Sequence, residues 1–365
     1  MASRISWWSP EMTGNELALL KAVLDSNFLN DGEVTEEFAR KIATLTNAKF
    51  GIGVTSGTAA IYLSLVALGV TRGDEVIVPD MTFIATANAV SMTGATPVLA
   101  DVDPGTLNIS VAAMESAITS KTKAVVPVHV SGRAADMENI LRFCRQRDLM
   151  VVEDAAEAFC SRGGDRYLGT FGRTGCFSFS PNKVITTGQG GVIVTDDEAI
   201  FHRLRELKDQ GRPVRGTGGA DTHDSIGFNF KLTNLQSAVG LGQLEKLDAR
   251  LKRIRQTYRI YHDELAGVKG IRVLPFKIDK GEQPQWIDAL AERRDELDDF
   301  LANNGADCRR FWFPLHTQKP YRRDDAEFPN STRLGKQAIW LPSAFQMADS
   351  DVKTVCRLIK KFYSA

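Results

Sequence analysis

The chain has 365 residues, and its 45 lysines and arginines are balanced by 45 aspartates and glutamates. A formal net charge of zero gives no electrostatic reason to expect nucleic acid or an anionic membrane surface as a partner. Hydrophobic residues at 43% and charged residues at 25% are ordinary globular values, which argue against disorder and a coiled coil. The length predicts two domains, and the sequence shows neither an apolar run long enough to cross a membrane nor the apolar core of a signal peptide.

Cysteines and histidines give no sign of disulfide or metal chemistry. The five cysteines are odd in number and form no C-x-x-C pair, so we expect reduced, mostly buried thiols in a cytoplasmic protein. The five histidines show no spacing typical of metal ligands, and no metal site is predicted. The residues concerned are Cys144, Cys160, Cys176, Cys308 and Cys356, and His129, His202, His223, His262 and His316.

The first 45 residues predict two amphipathic helices, because apolar residues recur at helical spacing over 17–24 and a second run covers 36–45. From residue 51, short β-branched runs alternate with helical stretches at 58–68 and 136–147. Several runs are apolar throughout, which is typical of strands buried on both faces of a mostly parallel sheet. This alternation predicts an α/β fold. The predicted strands are 51–55, 75–79, 96–102, 124–130, 150–153, 175–179 and 191–195.

A long helical pattern joins this region to the C-terminal part of the chain. Residues 233–265 predict a single helix of roughly 50 Å, at a rise of about 1.5 Å per residue. Proline-interrupted strands and two more helices follow in 266–365, which predicts a smaller α+β domain. We therefore expect a large α/β domain at 1–240, including the N-terminal helical segment, and a smaller domain at 241–365.

Three motifs carry the candidate chemistry, and each follows a predicted strand. Ser56, Gly57 and Thr58 open a helix whose N-terminal N–H groups can bind an anion, although such residues are also common helix caps. Asp154 ends an apolar strand, where open α/β sheets bind ligands, although aspartate there is also a common cap. Lys183 precedes a glycine-rich turn, and burial would favour its nucleophilic neutral amine, whereas a solvated loop lysine would be unreactive.

The combination of these motifs is more specific than any one of them. Pyridoxal phosphate needs a cradle for its phosphate, a carboxylate facing its pyridine nitrogen and a lysine that can form a Schiff base. One predicted α/β domain supplies all three, each just beyond an apolar strand. The sequence therefore predicts a pyridoxal phosphate site.

Two competing motifs fit less well. Gly51-x-Gly53-x-x-x-Gly57 is similar to a dinucleotide fingerprint, with Asp80 placed for a ribose, but two of these glycines lie inside the apolar run. A nicotinamide enzyme would also leave Lys183 without a task. The spacing Ser180-x-x-Lys183 matches an acyl-enzyme motif, but the S-D-N and K-T-G motifs that accompany it are missing.

The sequence resembles the DegT/DnrJ/EryC1/StrS sugar aminotransferases, a family within the fold-type I pyridoxal phosphate enzymes. The resemblance implies a large domain with a mostly parallel central sheet and a smaller C-terminal α+β domain. Within the family, the runs 153–158, 314–317 and 328–331 are most similar to those of GDP-perosamine synthases. The family resemblance as a whole is carried by 28–32, 56–60, 73–79, 153–156, 178–179, 182–183, 187–188 and 227–230.

The resemblance implies a role for each matching residue. Lys183 would bond covalently to the cofactor, Asp154 would keep the pyridine nitrogen protonated, and Phe83 would stack on the ring. Glu157 would lie near the phenolic oxygen of the cofactor. Asn229 would reach the cofactor phosphate of the neighbouring subunit, which implies a homodimer with shared sites. The residues that would bind the phosphate within one subunit are Ser56, Gly57, Thr58 and Ser178.

The implied reaction moves an amino group from L-glutamate to a keto group, expected at C4, of a nucleotide-linked 6-deoxy sugar, with pyridoxamine phosphate formed between the two half-reactions. Substrate contacts are predicted at Phe28, Arg309 and His316, although Arg309 and His316 have even odds of simply facing solvent. Two other functions stay open: amination of a keto-cyclitol, and a regulator that kept the fold without catalysis. The sugar dehydratases of the family carry histidine at the lysine position, which Lys183 contradicts.

Four positions depart from the family pattern. Glu157 stands where glutamine or histidine is frequent, and Gln189 replaces a frequent glutamate. Lys231 stands where arginine is usual, and the two are not interchangeable at a bidentate site. Residues 283–286 replace a strand that usually carries aromatic residues and histidine near the sugar. This last change leaves the identity of the sugar undecided.

Overall fold

A computed structural model describes residues 4–213 and 221–364 of the chain. No helix within these ranges has the length and apolar composition needed to cross a membrane. The α-helices are α1 (Glu16–Ser26), α2 (Glu33–Leu45), α3 (Gly57–Ala67), α4 (Ala85–Met92), α5 (Val111–Ala117), α6 (Met137–Arg145), α7 (Glu198–Lys208), α8 (Asn234–Leu244), α9 (Leu247–Glu264), α10 (Arg294–Asn303), α11 (Pro329–Gly335) and α12 (Asp349–Ser364). The strands are β1 (Phe50–Val54), β2 (Glu75–Pro79), β3 (Thr96–Ala100), β4 (Thr122–Val125), β5 (Met150–Asp154), β6 (Arg162–Gly163), β7 (Arg166–Tyr167), β8 (Thr174–Ser178), β9 (Gly191–Thr195), β10 (Ile271–Val273), β11 (Ile287–Ala291), β12 (Arg309–Arg310) and β13 (Ala338–Leu341).

The large sheet has the strand order β1-β9-β8-β5-β4-β2-β3. Neighbouring strands pair in parallel except around β9, which is antiparallel to both β1 and β8. Every residue of β9 is buried, as are four of the five residues of β5 and of β8. The predicted mostly parallel sheet of an α/β fold is confirmed, and its parallel strands all end at the same edge.

The predicted strand over 124–130 is too long. β4 ends at Val125, because Pro127 has no N–H group with which to continue the ladder. The chain beyond β4 still contacts both neighbouring strands through isolated backbone hydrogen bonds. The Val126 N–H donates to the Ile77 carbonyl at 2.8 Å, and the Asp154 N–H donates to the Pro127 carbonyl at 2.9 Å.

The single helix predicted over 233–265 is wrong, because α8 ends at Leu244 and α9 begins at Leu247. α8 packs against α1 and α2, and a Cβ atom on Gly242 would lie 2.7 Å from the Glu16 nitrogen, so only glycine allows this approach. α9 packs instead against α12. The two halves of the predicted helix, α8 and α9, therefore pack against different helices. The domain boundary at residue 240 stays a prediction.

A second sheet is formed by the C-terminal part of the chain in the order β10-β11-β13-β12, and all its neighbours are antiparallel. α10 packs against β11 and α12, and α12 packs against α9. Their shared core contains Ile287, Ile339 and Leu341, none of which is exposed to solvent. This is the α+β arrangement that the tail of the sequence predicted.

Candidate active site

A cavity of about 330 Å³ opens at the edge where the parallel strands of the large sheet end. β5 brings Asp154 to this edge, β8 brings Ser178, and the turn after β1 brings the N-terminus of α3. Ligands of open α/β sheets bind at the carboxyl ends of the strands. The predicted site residues that line the cavity are Ser56, Gly57, Thr58, Phe83, Asp154, Glu157, Ser178, Lys183 and Arg309.

The Asp154 carboxylate is buried and held by two hydrogen bonds. Its Oδ2 atom accepts from the Thr86 hydroxyl at 2.7 Å, and its Oδ1 atom accepts from the Ala156 N–H at 3.1 Å. Burial raises the pKa of the Asp154 carboxyl, and the hydrogen bonds and the charge of Lys183 partly oppose this rise. Sequence reasoning missed Thr86, which lies in the first turn of α4 after β2.

Glu153 precedes Asp154 on β5 and serves the opposite face of the sheet. Its carboxylate accepts the N–H groups of Gly169, Phe171 and Gly172 at 2.5 to 2.8 Å. It also lies 2.9 Å from the Nε2 atom of His129. Side chains alternate faces along a strand, so adjacent carboxylates on β5 have different surroundings. Glu153 fixes a loop, whereas Asp154 faces the cavity.

Lys183 and Glu157 form an ion pair at the cavity wall. The Lys183 Nζ atom donates to Glu157 Oε1 at 3.2 Å and lies 4.8 Å from the centre of the Trp286 ring, while only 10% of the lysine side chain is exposed. Glu157 Oε2 accepts the Ser131 N–H at 3.0 Å. Burial raises the pKa of the Glu157 carboxyl, and the nearby charge of Lys183 opposes that rise.

The backbone on both sides of Lys183 is held by the segment that precedes β11. The Gln285 side chain accepts the Val184 N–H at 3.2 Å and donates to the Asn182 carbonyl at 3.3 Å. The indole N–H of Trp286 donates to the same carbonyl at 3.2 Å. Within the run 283–286, which departs from the family pattern, Gln285 and Trp286 therefore position the lysine loop.

The N-terminus of α3 forms the part of the cavity suited to an anion. Ser56 caps the helix, since its hydroxyl accepts the Ala59 N–H at 3.1 Å. A Cβ atom on Gly57 would lie 2.8 Å from the Ser178 Cβ, so the absence of a side chain lets the helix terminus and Ser178 share one space. The free N–H groups and the helix dipole favour negative charge at this position.

These residues fit pyridoxal phosphate. The cradle at Gly57 and Ser178 suits a phosphate, Asp154 suits a protonated pyridine nitrogen, and the Lys183 amine suits the aldehyde. All of these groups line one cavity. Among the described residues, no cluster of three or more histidine, cysteine, aspartate or glutamate side chains is arranged to hold a metal ion.

A tryptophan cluster, which sequence reasoning missed, borders the cavity, and three of its members, Trp286, Trp312 and Trp340, line it. The ring centres of Trp286 and Trp340 are 4.8 Å apart, and Trp312 lies 5.0 Å from Trp340. Trp7 and Trp8, from the N-terminal segment, complete the cluster at 5.8 and 6.5 Å from Trp286. The five tryptophans of the sequence come from distant parts of the chain, so no spacing pattern predicted that they meet.

Arg309 lines the cavity at the edge of this cluster. Its guanidinium carbon lies 4.9 Å from the Trp7 ring centre and 5.6 Å from that of Trp340. The next residue, Arg310, points elsewhere and pairs with Asp298 at 2.9 Å. Alternation along β12 therefore separates a cation that faces the cavity from one that is neutralised by α10.

Three predicted residues do not line the cavity. Phe28 is exposed, and Asn229 is exposed with its backbone bridged to Asp209. His316 is completely buried against Asp80, the residue that the dinucleotide alternative placed at a ribose. The roles of Phe28, Asn229 and His316 toward substrate and cofactor stay predictions.

Two of the departures from the family pattern also have defined surroundings. Gln189 lines the cavity, and its carbonyl accepts from the side chains of Thr187 at 2.8 Å and Gln236 at 2.7 Å. Lys231 forms an ion pair with Asp209, and its backbone bridges to β1. Neither residue contacts Lys183 through a hydrogen bond in the described part of the chain.

The fold and the cavity are those of a pyridoxal phosphate enzyme. The family model described as the DegT/DnrJ/EryC1/StrS aminotransferase family matches residues 10–360, and the chain belongs to this family. It is therefore a pyridoxal phosphate-dependent aminotransferase, and the fold that its sequence predicted is confirmed.

Individual relatives are similar over nearly their whole length. The chain is 38% identical over 361 residues to GDP-perosamine synthase of Escherichia coli O157:H7, with 98% of each chain covered. It is 34% identical over 370 residues to GDP-perosamine synthase of Vibrio cholerae, again with 98% of each covered. The solved structure of DesV from S. venezuelae is 31% identical and superimposes with a TM-score of 0.91 over 96% of this chain and 95% of that one.

Proposed function

We propose that the enzyme transfers an amino group from L-glutamate to the C4 keto group of a GDP-linked 6-deoxy sugar. The observation that carries this proposal is the Lys183 amine, held beside Glu157 in the cavity that also contains Asp154 and the N-terminus of α3. The similarity to two GDP-perosamine synthases over nearly the full length supports the nucleotide and the sugar.

The residues that would hold the cofactor are those of the cavity. Gly57, Thr58 and Ser178 would bind its phosphate, together with Ser56 at the helix cap, and Phe83 would cover its ring. When bound, pyridoxal phosphate supplies an electron sink for the carbon that carries the amino group. The buried Asp154 carboxylate would stabilise a positive charge opposite to it, and low solvent access strengthens that interaction.

Lys183 would move a proton within each half-reaction. Once its Nζ atom is released by the incoming amine, it is a base that can take a proton from one carbon and return it to another. Glu157, at 3.2 Å from that nitrogen, holds the side chain in the cavity. The Trp286 ring beside the amine would limit the access of water to it, which would protect the reacting centre from hydrolysis.

Arg309 would bind the negatively charged part of the substrate. A guanidinium held over two indole rings is oriented without an acidic partner among the described hydrogen bonds and ion pairs. Arginine binds phosphate oxygens through paired N–H groups, so a nucleotide diphosphate is a suitable ligand. A substrate contact from Phe28 is proposed as well, whereas His316 is completely buried against Asp80 and lies outside the cavity lining.

The active unit is proposed to be a homodimer in which Asn229 completes the site of its partner. Its exposed position outside its own cavity supports this role, as do the exposed apolar side chains of Leu17, Leu24 and Ile226, which a second copy would cover. Mixed dimers of Lys183→Ala and Asn229→Ala subunits test it. Recovery of activity on mixing supports a shared site, and no recovery contradicts it.

The reaction itself is tested by supplying L-glutamate and a panel of acceptors to the loaded enzyme. GDP-, dTDP- and UDP-linked 4-keto-6-deoxyhexoses would be compared with the keto-cyclitol scyllo-inosose, and the aminated product would be identified by mass and NMR. Preference for the GDP-linked sugar is expected. Turnover of scyllo-inosose alone would indicate that the enzyme aminates a keto-cyclitol. No turnover of any acceptor despite bound cofactor would favour a non-catalytic regulator.

A further inference from the structure

Ser131 occupies an unusual place between the two sheets. It is completely buried, and its backbone is left-handed, with φ 53° and ψ 19°, a conformation that residues other than glycine rarely adopt. Gly132 follows with φ +96°, and a Cβ atom there would lie 2.0 Å from the Gln283 carbonyl oxygen. Such strain persists where the surroundings fix the turn from several sides.

Every polar group of Ser131 has a partner, and these partners come from different parts of the fold. Its N–H donates to Glu157 Oε2 at 3.0 Å, on the cavity side. Its hydroxyl donates to Asp288 Oδ1 at 2.8 Å and accepts the Trp340 indole N–H at 3.3 Å, both on the second sheet. Its carbonyl accepts the Gln285 N–H at 2.8 Å.

We propose that Ser131 is a positioning residue through which the second sheet holds the Glu157 carboxylate against the Nζ atom of Lys183. The chain of contacts is continuous: the hydroxyl fixes the turn to β11 and β13, the turn presents its N–H, and that N–H fixes Glu157 Oε2 while Oε1 meets the lysine. The assignment rests on the covalent role proposed above for Lys183.

The consequence is a defined charge beside the amine. A carboxylate held 3.2 Å from the Lys183 nitrogen keeps a negative charge beside it, whereas a carboxylate free to turn away would not. The hydroxyl of Ser131 therefore affects Lys183 only through Glu157. The other charged or titratable groups around these two residues are Asp154 and His129 beside the end of β5, Asp288 and Arg133 behind Ser131, and Arg309 on β12.

The chain offers a matched control in Ser161. This serine is also completely buried, and its hydroxyl donates to the Gly132 carbonyl at 2.6 Å and accepts the Gln283 N–H at 2.9 Å. Ser161→Ala therefore removes a buried hydroxyl that hydrogen-bonds to the same turn, without removing a contact to Glu157. A general loosening of the turn would affect both variants alike.

The experiment measures the pH midpoint of the visible absorbance change of cofactor bound to Lys183. Glu157→Gln is expected to lower the midpoint by about one pH unit or more, because a neighbouring anion is lost. Ser131→Ala is expected to lower it by roughly half a unit, and the double variant should match Glu157→Gln alone, because the two residues act in series. Ser161→Ala should reduce the melting temperature without this shift.

Several results would overturn the assignment. A Ser131→Ala shift no larger than that of Ser161→Ala would do so, as would a shift that adds in full to that of Glu157→Gln. Ser131→Gly, which suits the left-handed backbone, replaces Ser131→Ala if the alanine variant does not fold. A wild-type enzyme without any visible band would contradict the role of Lys183 as well, so the two failures are distinguishable.

Discussion

The Nδ1 atom of His316 lies 2.6 Å from Oδ2 of Asp80, and neither side chain is exposed to solvent. The His316 backbone N–H also donates to the Asp80 carboxylate at 2.8 Å, and the imidazole stacks on Phe328 with ring centres 4.7 Å apart. The pair joins the end of β2 to the segment between β12 and α11. Burial raises the pKa of the Asp80 carboxyl, and its contacts with His316 oppose that rise.

Replacing His316 should therefore destabilise the protein more than it impairs chemistry. His316→Ala leaves a buried carboxylate without its side-chain partner, and we expect the free energy of unfolding to fall by about 3–5 kcal/mol. Denaturant titration measures this loss. Adding Asp80→Asn should recover part of it, because the neutral amide costs less to bury; no loss in the single variant would contradict the structural importance of the pair.

Replacing Lys183 should abolish the covalent link to the cofactor. Lys183→Ala has no amine at the cavity wall, so the purified variant is expected to lack the visible absorbance band and to form no borohydride-reduced adduct. Absorbance spectroscopy and mass mapping of the reduced wild-type protein check this result. An adduct on another lysine, or an unchanged spectrum, would refute the assignment.

Asp154 and Glu153 are adjacent carboxylates, and we expect substitution of the first to lower kcat and substitution of the second to lower stability. Asp154→Asn should lower kcat on the order of 10²-fold, because the charge facing the cavity is lost, while the fold is kept. Glu153→Gln should instead lower the free energy of unfolding by about 1–3 kcal/mol, since one amide cannot accept all the N–H groups that the carboxylate accepts. Steady-state kinetics and denaturant titration on both variants separate the two roles, and equal effects on either quantity would contradict them.

The raised pKa of Asp154 also predicts a pH dependence of stability for the protein without cofactor. Burial raises the folded-state pKa above the ordinary value of 3.8, so the contribution of this carboxyl to stability is fully present below that value and is lost as the pH rises through the folded pKa. Asp154→Asn should therefore melt at a higher temperature than the wild type near neutral pH. The difference should shrink on acidification, and a constant difference would be the contrary result.

Arg309 and Arg310 offer a comparison between neighbours on β12. Arg309→Ala should raise KM for the nucleotide sugar about tenfold to a hundredfold, the equivalent of roughly 1.5–3 kcal/mol for charge-assisted hydrogen bonds. Arg310→Ala should leave KM within about twofold, because an exposed ion pair with Asp298 contributes little. Initial-rate kinetics decide the matter, and an equal effect of the two substitutions would remove Arg309 from the substrate site.

Local patterns were sufficient for the elements that face the cavity. The strand that ends at Asp154 was recognisable because a continuous apolar run ended in a carboxylate, and β2 and β9 have the predicted bounds. The continuous helix over 233–265 was wrong, because its periodicity does not record which neighbour each half packs against. The need for glycine at position 242 becomes clear only in the folded structure, where α1 packs closely against α8 at this residue.

The sequence by itself determined the α/β alternation, the helix terminus after β1, and the carboxylate and the lysine at strand ends, because these follow from periodicity and short spacing. Only the tertiary structure decided that His316 is buried against Asp80, that the five tryptophans pack in one cluster, and that Ser131 links Glu157 to the second sheet. Those contacts join residues far apart in the chain. Their partners are selected by the packing of whole layers, which no local pattern encodes.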